Sequence, residues 1–540
     1  MKINLVCLED GIISCGFRKM ASLAKSLNPN TKIHYVSLNQ FRGYLNMLLW
    51  RVGEKPQSDP KVIDEIAHSL ADCKILGFSC MTGYSELAKS IMARVKEISP
   101  QTYIIWGGIH PIINPEDAIQ APVDAICTGE GEQAFTEFLD LFQKQSNFSE
   151  VKNFWFKSGS EVKRNGFRPL MSATEMTSFP FPHYGEEEWI YEEGRGFVPL
   201  TKQHYLDSNG LSYSTVWSIG CPFHCTYCGN TVFLKNDSSY KKIRHPGVGY
   251  VIGEVKHAIS KYPHISTILF HDDSFMALPF ALIEEFAQRW KEEINLPFCV
   301  YGLIPNYVRE DKFRILTWAG MNRVRMGVQS GSERILKFYK RPAPPARALA
   351  AAKVISSFKD FQVAPAYDII VDNPLETRDD VIDSLEFVYQ LPRPFTLNIY
   401  TLRNIPNSEL EKQLKIEGID IDSIDSNYHQ NRGTWSNCIL MLLTLFRPPK
   451  SIFHWMLLKV RAPREPQREF PWLLFTFRTA LFVKRGLSHI RRMDFSTISG
   501  SLGYWLWKMG LVHLYQRTRS FPEPYANAVD PEPAPNTTAL

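Results

Sequence analysis

VWSIGCPFHCTYCGN, Val216 to Asn230, places three thiols, those of Cys221, Cys225 and Cys228, within eight residues. The loop follows an apolar strand-like run, Ser214 to Ile219, and carries Gly220, Pro222 and Gly229, residue types that let a backbone curl. Thiolates so spaced converge on one centre only if the chain turns back on itself, so the spacing asks for a metal. Two kinds of centre remain open. A structural zinc site needs four protein ligands, which makes His224 or a distant cysteine the fourth. An iron-sulfur (4Fe-4S) cluster held by three cysteines instead leaves one iron uncapped, free to bind a substrate or cofactor.

With an aromatic residue, Tyr227, before the last cysteine, this C-x-x-x-C-x-x-C loop resembles the cluster loop of the radical S-adenosylmethionine (SAM) family. The resemblance implies a 4Fe-4S cluster on Cys221, Cys225 and Cys228, with SAM chelating the open iron through its amino and carboxylate groups. It also implies that one electron, from an external donor of the flavodoxin or ferredoxin type, cleaves SAM to methionine and a deoxyadenosyl radical.

On the N-terminal side, residues 1 to 148 alternate short apolar runs with helical patterns, the signature of a doubly wound parallel sheet (α/β, Rossmann-like). Strands are expected at Ile3–Leu8, Lys32–Leu38, Lys74–Ser79, Thr102–Trp106 and Val123–Cys127. Helices are expected over Gly16–Leu27, Tyr84–Ile98 and Glu132–Phe142, with an inserted loop and turn over residues 39 to 60. Ligands of such sheets sit at the carboxyl ends of the strands. There the sequence holds Ser79 and Thr82 after the third strand, Gly107 and Gly108 after the fourth, and Gly129 and Glu130 after the fifth. In this order, ahead of the cysteine loop, they resemble the cobalamin-binding domain of the cobalamin-dependent radical SAM branch. The D-x-H-x-x-G motif that supplies a cobalt ligand in that kind of domain is absent, since Glu9-Asp10-Gly11-Ile12-Ile13-Ser14 has no histidine. His110 is expected to fix the Gly-Gly turn by hydrogen bonding rather than to ligate cobalt.

Residues 149 to 210 read as a hairpin, Asn153 to Arg164, and an extended surface linker around Ser178 to Tyr184, where prolines bar a helix. From 211 to 430, six strand-helix repeats predict a partial (β/α)6 barrel with its chemistry on the carboxyl rim. Strands are expected near Ser214–Ile219, Thr267–His271, Pro297–Gly302, Arg323–Val328, Ala364–Val371 and Phe395–Thr401. By resemblance, Asp272 and Asp273 face the SAM amino group, and Gln329 and Ser330 the ribose. The residue reading alone leaves a helix cap by Asp273 or Ser274 open. Near the fifth barrel strand, Pro374 and Glu376-Thr377 match the family's pattern, while Asp372 and Leu375 stand where it has glycines.

Residues 431 to 520 form a helical C-terminal region, and 521 to 540 a disordered tail. Fifteen Lys/Arg against three acids between Arg432 and Arg519 gather the basic excess there, while a formal charge of +5 over the whole chain points to no nucleic-acid partner. Trp472, Tyr504, Trp505, Trp507 and Tyr515 interleave with Lys484, Arg485, Arg491, Arg492 and Lys508. Two arrangements suit this pattern: helices lying on an anionic membrane, or a helical cap on the barrel. Seven of the ten cysteines lie singly in apolar contexts, and Met1 to Val6 reads as a strand rather than a signal peptide. A reducing cytoplasm is therefore the expected setting, with peripheral contact at the inner membrane surface.

Read through the resemblance, the chain is expected to be a C-methyltransferase acting on an unactivated carbon of a small-molecule or lipid-like substrate. A cyclase or rearrangement enzyme with the same cofactors is the rival reading. A non-catalytic cobalamin or redox sensor is the alternative of another class.

Overall fold

The computed structural model describes all residues except 10, 38–58, 183, 186–187, 422–431, 462–468, 493, 495–497, 499 and 526–540, and the side chain of residue 515. The inserted loop expected over 39 to 60 lies outside the described residues as far as residue 58, as does the segment Asp530 to Asn536 of the expected tail.

The first sheet is built from β1 (Ile3–Leu8), β2 (Thr31–Val36), β3 (Ile75–Cys80), β4 (Tyr103–Gly107), β5 (Ala125–Cys127), β6 (Phe154–Ser158), β7 (Glu161–Arg164), β8 (Glu188–Glu192) and β9 (Gly196–Pro199). Their order is β7-β6-β5-β4-β3-β1-β2-β8-β9. The run INLVCL of β1 is buried at every position, as a central parallel strand covered by helices on both faces must be. The five expected strands are present, within two residues at most ends. A helix at Pro60–Ala71 adds to the expected set; Asp59 caps it by accepting from the Lys61 amide at 2.9 Å.

The segment 149 to 210 departs from expectation. Its hairpin is present, but β6 pairs antiparallel onto β5, while β8 pairs parallel with β2 and carries β9 antiparallel beyond it. Both edges of the sheet are thus extended by residues read as hairpin and linker. Tyr184 is not on the surface either; it is buried, and its hydroxyl donates to the Ile12 carbonyl at 3.0 Å.

The second sheet runs β10 (Ser212–Thr215), β11 (Thr267–Phe270), β12 (Phe298–Leu303), β13 (Met321–Gln329), β14 (Ala366–Val371) and β15 (Thr396–Thr401), in that order and all parallel. It is the open partial barrel that the repeats predict. Helix Phe280–Glu293 shows why the outer layer forms: Ile283, Phe286, Ala287 and Trp290 recur at helical spacing and are all buried. The first barrel strand stops at Thr215, short of the expected Ile219, which joins only an isolated bridge to Arg244.

After the barrel come helices Trp435–Leu445, Lys450–Arg461, Pro471–Arg491, Gly500–Lys508 and Leu511–Thr518. Their polar side chains reach backbone carbonyls at the amino ends of the barrel strands. Gln516 donates to Ser266 at 3.4 Å, Arg519 to Gly320 at 2.8 Å and Arg492 to Asp360 at 2.8 Å. The last part of the region is therefore the floor of the barrel, opposite the rim, whereas helix Trp435–Leu445 begins at the rim, where Asn437 donates to Asp372. None of the described helices is long and apolar enough to cross a membrane.

Arg18 ties the two sheets together. It lies on helix Cys15–Leu27 and is 1% exposed, with its guanidinium 3.5 Å from the Tyr184 ring centroid and 3.4 Å from the Tyr213 hydroxyl on β10. Tyr213 in turn donates to buried Glu254 at 3.0 Å. Arg18→Ala is expected to lower the unfolding free energy by about 3–5 kcal/mol, as stripping a cation from a buried polar network does. Urea unfolding measures it, and a loss below about 1 kcal/mol, the scale of an exposed pair, would remove the bridging role.

Candidate active site

The cysteine loop leaves β10 under three restraints. Trp217 is buried, stacked on Phe286 with ring centroids 4.9 Å apart, and its indole donates to the Pro246 carbonyl at 3.0 Å. Ile219 and Arg244 exchange two backbone hydrogen bonds of 2.8 Å each. Gly220 then turns at φ +112°, where a Cβ would stand 2.5 Å from the Lys242 carbonyl oxygen, so only glycine fits. Further on, the Thr226 amide donates to the Tyr339 carbonyl at 3.0 Å and its own carbonyl accepts from the Leu410 amide at 3.0 Å.

The three thiols are free of disulfides. Burial first, and then the charges of Asp273, Cys225 and Cys221, push the Cys228 thiol up to about 12, against an opposing hydrogen bond from the Asn230 backbone. Burial likewise raises Cys221. Thiols that crowd and raise one another ask for a cation among them, and Arg341 supplies part of it, with Nη1 3.7 Å from the Cys225 sulfur. Among the described residues, no three His, Cys, Asp or Glu side chains draw together around a single ion. Three free thiols on one turning loop, with Arg341 beside Cys225, are a donor set that fits a cluster.

Asp272 is not where the resemblance puts it. Its carboxylate is buried and accepts from the amides of Trp217 at 3.1 Å and Ser218 at 2.5 Å and from the Ser218 hydroxyl at 2.5 Å. Burial pushes it up to about 6 in spite of these bonds. It supports the strand end that launches the cysteine loop, which leaves no room for a SAM ammonium. Asp273 accepts from Asn230 Nδ2 at 2.8 Å and remains exposed beside the cysteines. Asp273 does not cap a helix: Ser274 is the residue that precedes the short 3-10 turn Phe275–Ala277, and it makes no side-chain cap bond.

Ser330 is also committed elsewhere. It is fully buried, 3.1 Å from the Ser384 hydroxyl, and accepts from the Ser332 amide at 3.1 Å. Its role is to shape the turn after β13, not to meet a ribose. Gln329 ends β13 at φ +76° beside a register shift and is half-buried. Arg341 joins this end of β13 to the cysteine loop, since Nη2 donates to the Gly327 carbonyl at 2.7 Å. Asp372, standing where the family pattern has glycine, keeps the left-handed conformation glycine would take, φ +59°. Its carboxylate accepts from Thr401 Oγ1 at 3.1 Å and Asn437 Nδ2 at 3.2 Å. Burial, then Asp380 and Asp372, push nearby Glu376 up to about 8.

At the carboxyl ends of β1, β3, β4 and β5 lies a cavity of about 360 Å³. Ser79, Gly107, Gly108, Gly129 and Glu130 line it; Thr82, half-buried in the turn after β3, does not. Its walls include Phe17, Ile105, Ile109, Phe135 and Leu170, apolar surfaces suited to the flat face of a corrin. Gly108, at φ +86°, could not bear a Cβ, which would meet Ser79 Oγ at 2.8 Å. Among the described residues, no histidine lines the cavity. His110 is buried, stacked on Trp106, with Nε2 2.8 Å from the Asp117 carboxylate. It therefore secures a neighbouring helix rather than the Gly-Gly turn. Glu130 has a second role: Arg244 grips it at 2.5 and 3.3 Å across the two sheets. The far wall of the cavity is Ile219, Phe233 and Tyr240, residues of and just after the cysteine loop. The lining suits one face of a corrin, and the cavity abuts the cluster loop.

The concave face of the barrel sheet is polar. His271 Nε2 lies 3.2 Å from Ser214 Oγ, and its ring lies 5.0 Å from that of Tyr301. Arg325 Nε meets both Asp368 oxygens at 2.8 and 2.7 Å, Arg325 Nη2 meets the Tyr400 hydroxyl at 2.8 Å, and Asn398 Nδ2 meets Asp368 at 2.9 Å. The surrounding protein and then Arg325 bring His271 down to about 4, so its imidazole is neutral. A barrel filled for stability alone carries branched apolar residues here. These polar groups, and Arg341 with them, were not singled out from the sequence, because each comes from a different strand or loop.

Residues 17–139 match the B12 binding domain family and residues 215–388 the Radical SAM superfamily. Together with the cysteine loop on an open parallel barrel, these matches define a radical SAM enzyme, with SAM and a 4Fe-4S cluster as its cofactors. A B12 binding domain ahead of a radical SAM domain is the order expected of the cobalamin-dependent branch of that family. It resembles an uncharacterised methyltransferase of Pyrococcus horikoshii, 25% identical over 352 residues, which are 62% of this chain and 71% of the relative. The anaerobic magnesium-protoporphyrin IX monomethyl ester cyclase of Rubrivivax gelatinosus is 22% identical over 394 residues, 70% of this chain and 65% of that enzyme. Among solved structures, the radical SAM methyltransferase TsrM of Kitasatospora setae, bound to tryptophan and a SAM analogue, aligns with a TM-score of 0.58 at 11% identity, over 77% of this chain and 76% of the other. OxsB, a cobalamin-dependent SAM radical enzyme bound to aqua-cobalamin and SAM, aligns at 0.57 and 15% identity, over 97% of this chain and 77% of the other. At these identities the structural likeness concerns the fold alone.

Asp272→Asn is expected to reduce iron retained per chain after anaerobic reconstitution several-fold, because the amide NH2 replaces one of the two acceptor oxygens and faces a buried N–H with a donor, a change worth about 1–3 kcal/mol for the group left unsatisfied. Asp273→Asn, by contrast, is expected to keep its iron. Iron analysis reads both, and full iron in Asp272→Asn would overturn the supporting role.

Proposed function

We propose that this enzyme is a methyltransferase acting on an unactivated carbon of a small-molecule or lipid-like substrate. The observation that carries the reading is the shared wall between the glycine-lined cavity and the cysteine loop, through Ile219, Phe233 and Tyr240. When bound, the cluster with SAM supplies a hydrogen-abstracting radical and cobalamin supplies the methyl group. The chain's own residues divide the rest of the work. Cys221, Cys225 and Cys228 hold the cluster, Arg341 steadies Cys225, and Asp272 sets the height of the loop. Asp273 and Gln329 are the rim groups left free for SAM, and Ser79, Gly107, Gly108, Gly129 and Glu130 border the cobalamin. The polar face from Ser214 to Tyr400 orients the substrate beneath them. Electrons come from an external flavodoxin or ferredoxin type donor.

A cyclase or rearrangement keeps the same cofactors, and the similarity to a named cyclase supports keeping it as the second reading. With reconstituted protein, reductant and SAM labelled in its methyl group, the label is expected in an organic product. Formation of deoxyadenosine with no label in any product would favour the second reading and end the first.

The outer faces of the C-terminal helices support peripheral membrane contact. Trp455 and Leu458 on one helix and Trp472, Val483, Leu487 and Ile490 on another are exposed, Trp472 to 82%, among the basic residues of the region. Such faces settle on anionic lipid. The holoprotein is expected to co-sediment with phosphatidylglycerol vesicles, and Trp455→Ser with Trp472→Ser to weaken this about tenfold through lost apolar burial. Wild-type protein left in the supernatant would refute the contact.

A further inference from the structure

Beneath the polar face, at the floor of the barrel, is a second cavity of about 330 Å³. It is lined by Tyr301, Arg323, Arg325, Asn398, Tyr400 and Arg485, with Ser488 and His489 completing the wall from helix Pro471–Arg491. Three arginines around one small space need an accounting of charge. Arg325 is matched by Asp368, at 2.7 Å, and Arg323 by Asp494, at 2.8 Å. His489 also faces Asp494, at 3.5 Å. Arg485 has oxygen partners without charge: it donates to the Leu397 carbonyl at 2.9 Å and to Asn398 Oδ1 at 3.3 Å. Among the described residues no carboxylate lies within ion-pair distance of it.

Its two cationic neighbours are explained by the backbone. Lys484 donates to the carbonyls of Thr444 and Leu445 at 2.7 and 2.8 Å, and Arg393 donates to those of Leu443 and Thr444. Both thereby cap the C-terminal end of helix Trp435–Leu445, where orphan carbonyls and the helix dipole attract cations. No such end stands before Arg485. A guanidinium that lines a cavity and donates only to uncharged oxygens is a site for an anion, and its planar fork suits carboxylate or phosphate oxygens.

We infer that the floor cavity binds an acidic group of the substrate, a carboxylate or a phosphate, with Arg485 as its charge partner and the hydroxyls of Tyr301 and Tyr400 bordering it. The acid end then sits at the amino ends of the strands, and the carbon to be altered lies up the polar face toward the cysteine loop. This deepens the reading of the barrel as the substrate chamber and rests on it. Binding is nevertheless separable from turnover, so failure of labelled methyl transfer would leave the anion site standing.

The test is titration calorimetry on anaerobically purified holoprotein in chloride buffer, with inorganic phosphate, octanoate and neutral 1-octanol as probes. Saturable binding of phosphate or of octanoate is expected, the stronger of the two naming the acid, with octanol at least tenfold weaker. Arg485→Gln is expected to lose the anion tenfold or more, Arg485→Lys to retain part of it, and Arg461→Gln, an exposed cation outside the cavity, to bind as wild type. Equal anion binding by Arg485→Gln and wild type would overturn the proposal. So would wild-type protein that binds neither anion, or octanol as well as octanoate. If Arg485→Gln fails to fold, Arg485→Lys decides: affinity unchanged or improved by a point charge in place of the fork would also overturn it.

Discussion

The amides of Trp217 and Ser218 and the Ser218 hydroxyl all donate to one carboxylate sealed from water, that of Asp272, and the cysteine loop begins at this knot. An acceptor buried so deeply is costly to charge, and it stays in place because three donors surround it. The next strand presses on the same point: Gly302, at φ +72°, passes so close that a Cβ there would stand 2.2 Å from the Asp272 carbonyl oxygen. The ends of β10, β11 and β12 are thus fixed to one another before any cofactor is considered. Three thiols on a loop can meet a cluster only if the loop's base does not move, and this is its base.

The contact between the two sheets gives the site its second half. Arg18 and the Arg244–Glu130 pair are cross-sheet links, and between them the glycine-lined cavity opens directly onto the cysteine loop. Glu130 shows how one residue serves both purposes, bordering the cavity while holding the barrel domain against it. Beneath, the last helices reach the amino ends of the barrel strands. The cysteine loop stands at the carboxyl ends of these strands and the Arg485 cavity at their amino ends, one column with the strands between them.

Much of this column was legible before the fold was seen. Both sheets, their order and all six barrel strands follow from apolar periodicity, and the cluster ligands from three cysteines in eight residues. Errors fell where one residue type serves two masters. Asp272 has the chemistry to meet an ammonium and Ser330 to meet a ribose, yet both turned inward to satisfy backbone and side-chain donors. Residues 149 to 210 contain proline and lack a strong strand period at several points, so β8 and β9 were missed. β8 pairs with β2 and carries β9, and the distance of β2 along the chain is one no local pattern reveals. Asp372 is instructive in the other direction: a position that resemblance assigned to glycine kept the glycine conformation, because Thr401 and Asn437 hold the carboxylate that replaces it.

By itself the sequence determined the parts: a Rossmann-like sheet, an open barrel, three thiols poised for a metal, and glycines where strands end. These depend on spacing within ten or twenty residues, which periodicity and turn chemistry record directly. Only the tertiary structure decided which acid supports the loop and which stays exposed beside it, that Arg341 meets Cys225 across 116 positions, and that Arg485 lines a cavity with no carboxylate among the described residues of its wall. Charge balance and hydrogen-bond satisfaction are settled between groups far apart in the chain, and folding alone brings those groups within reach.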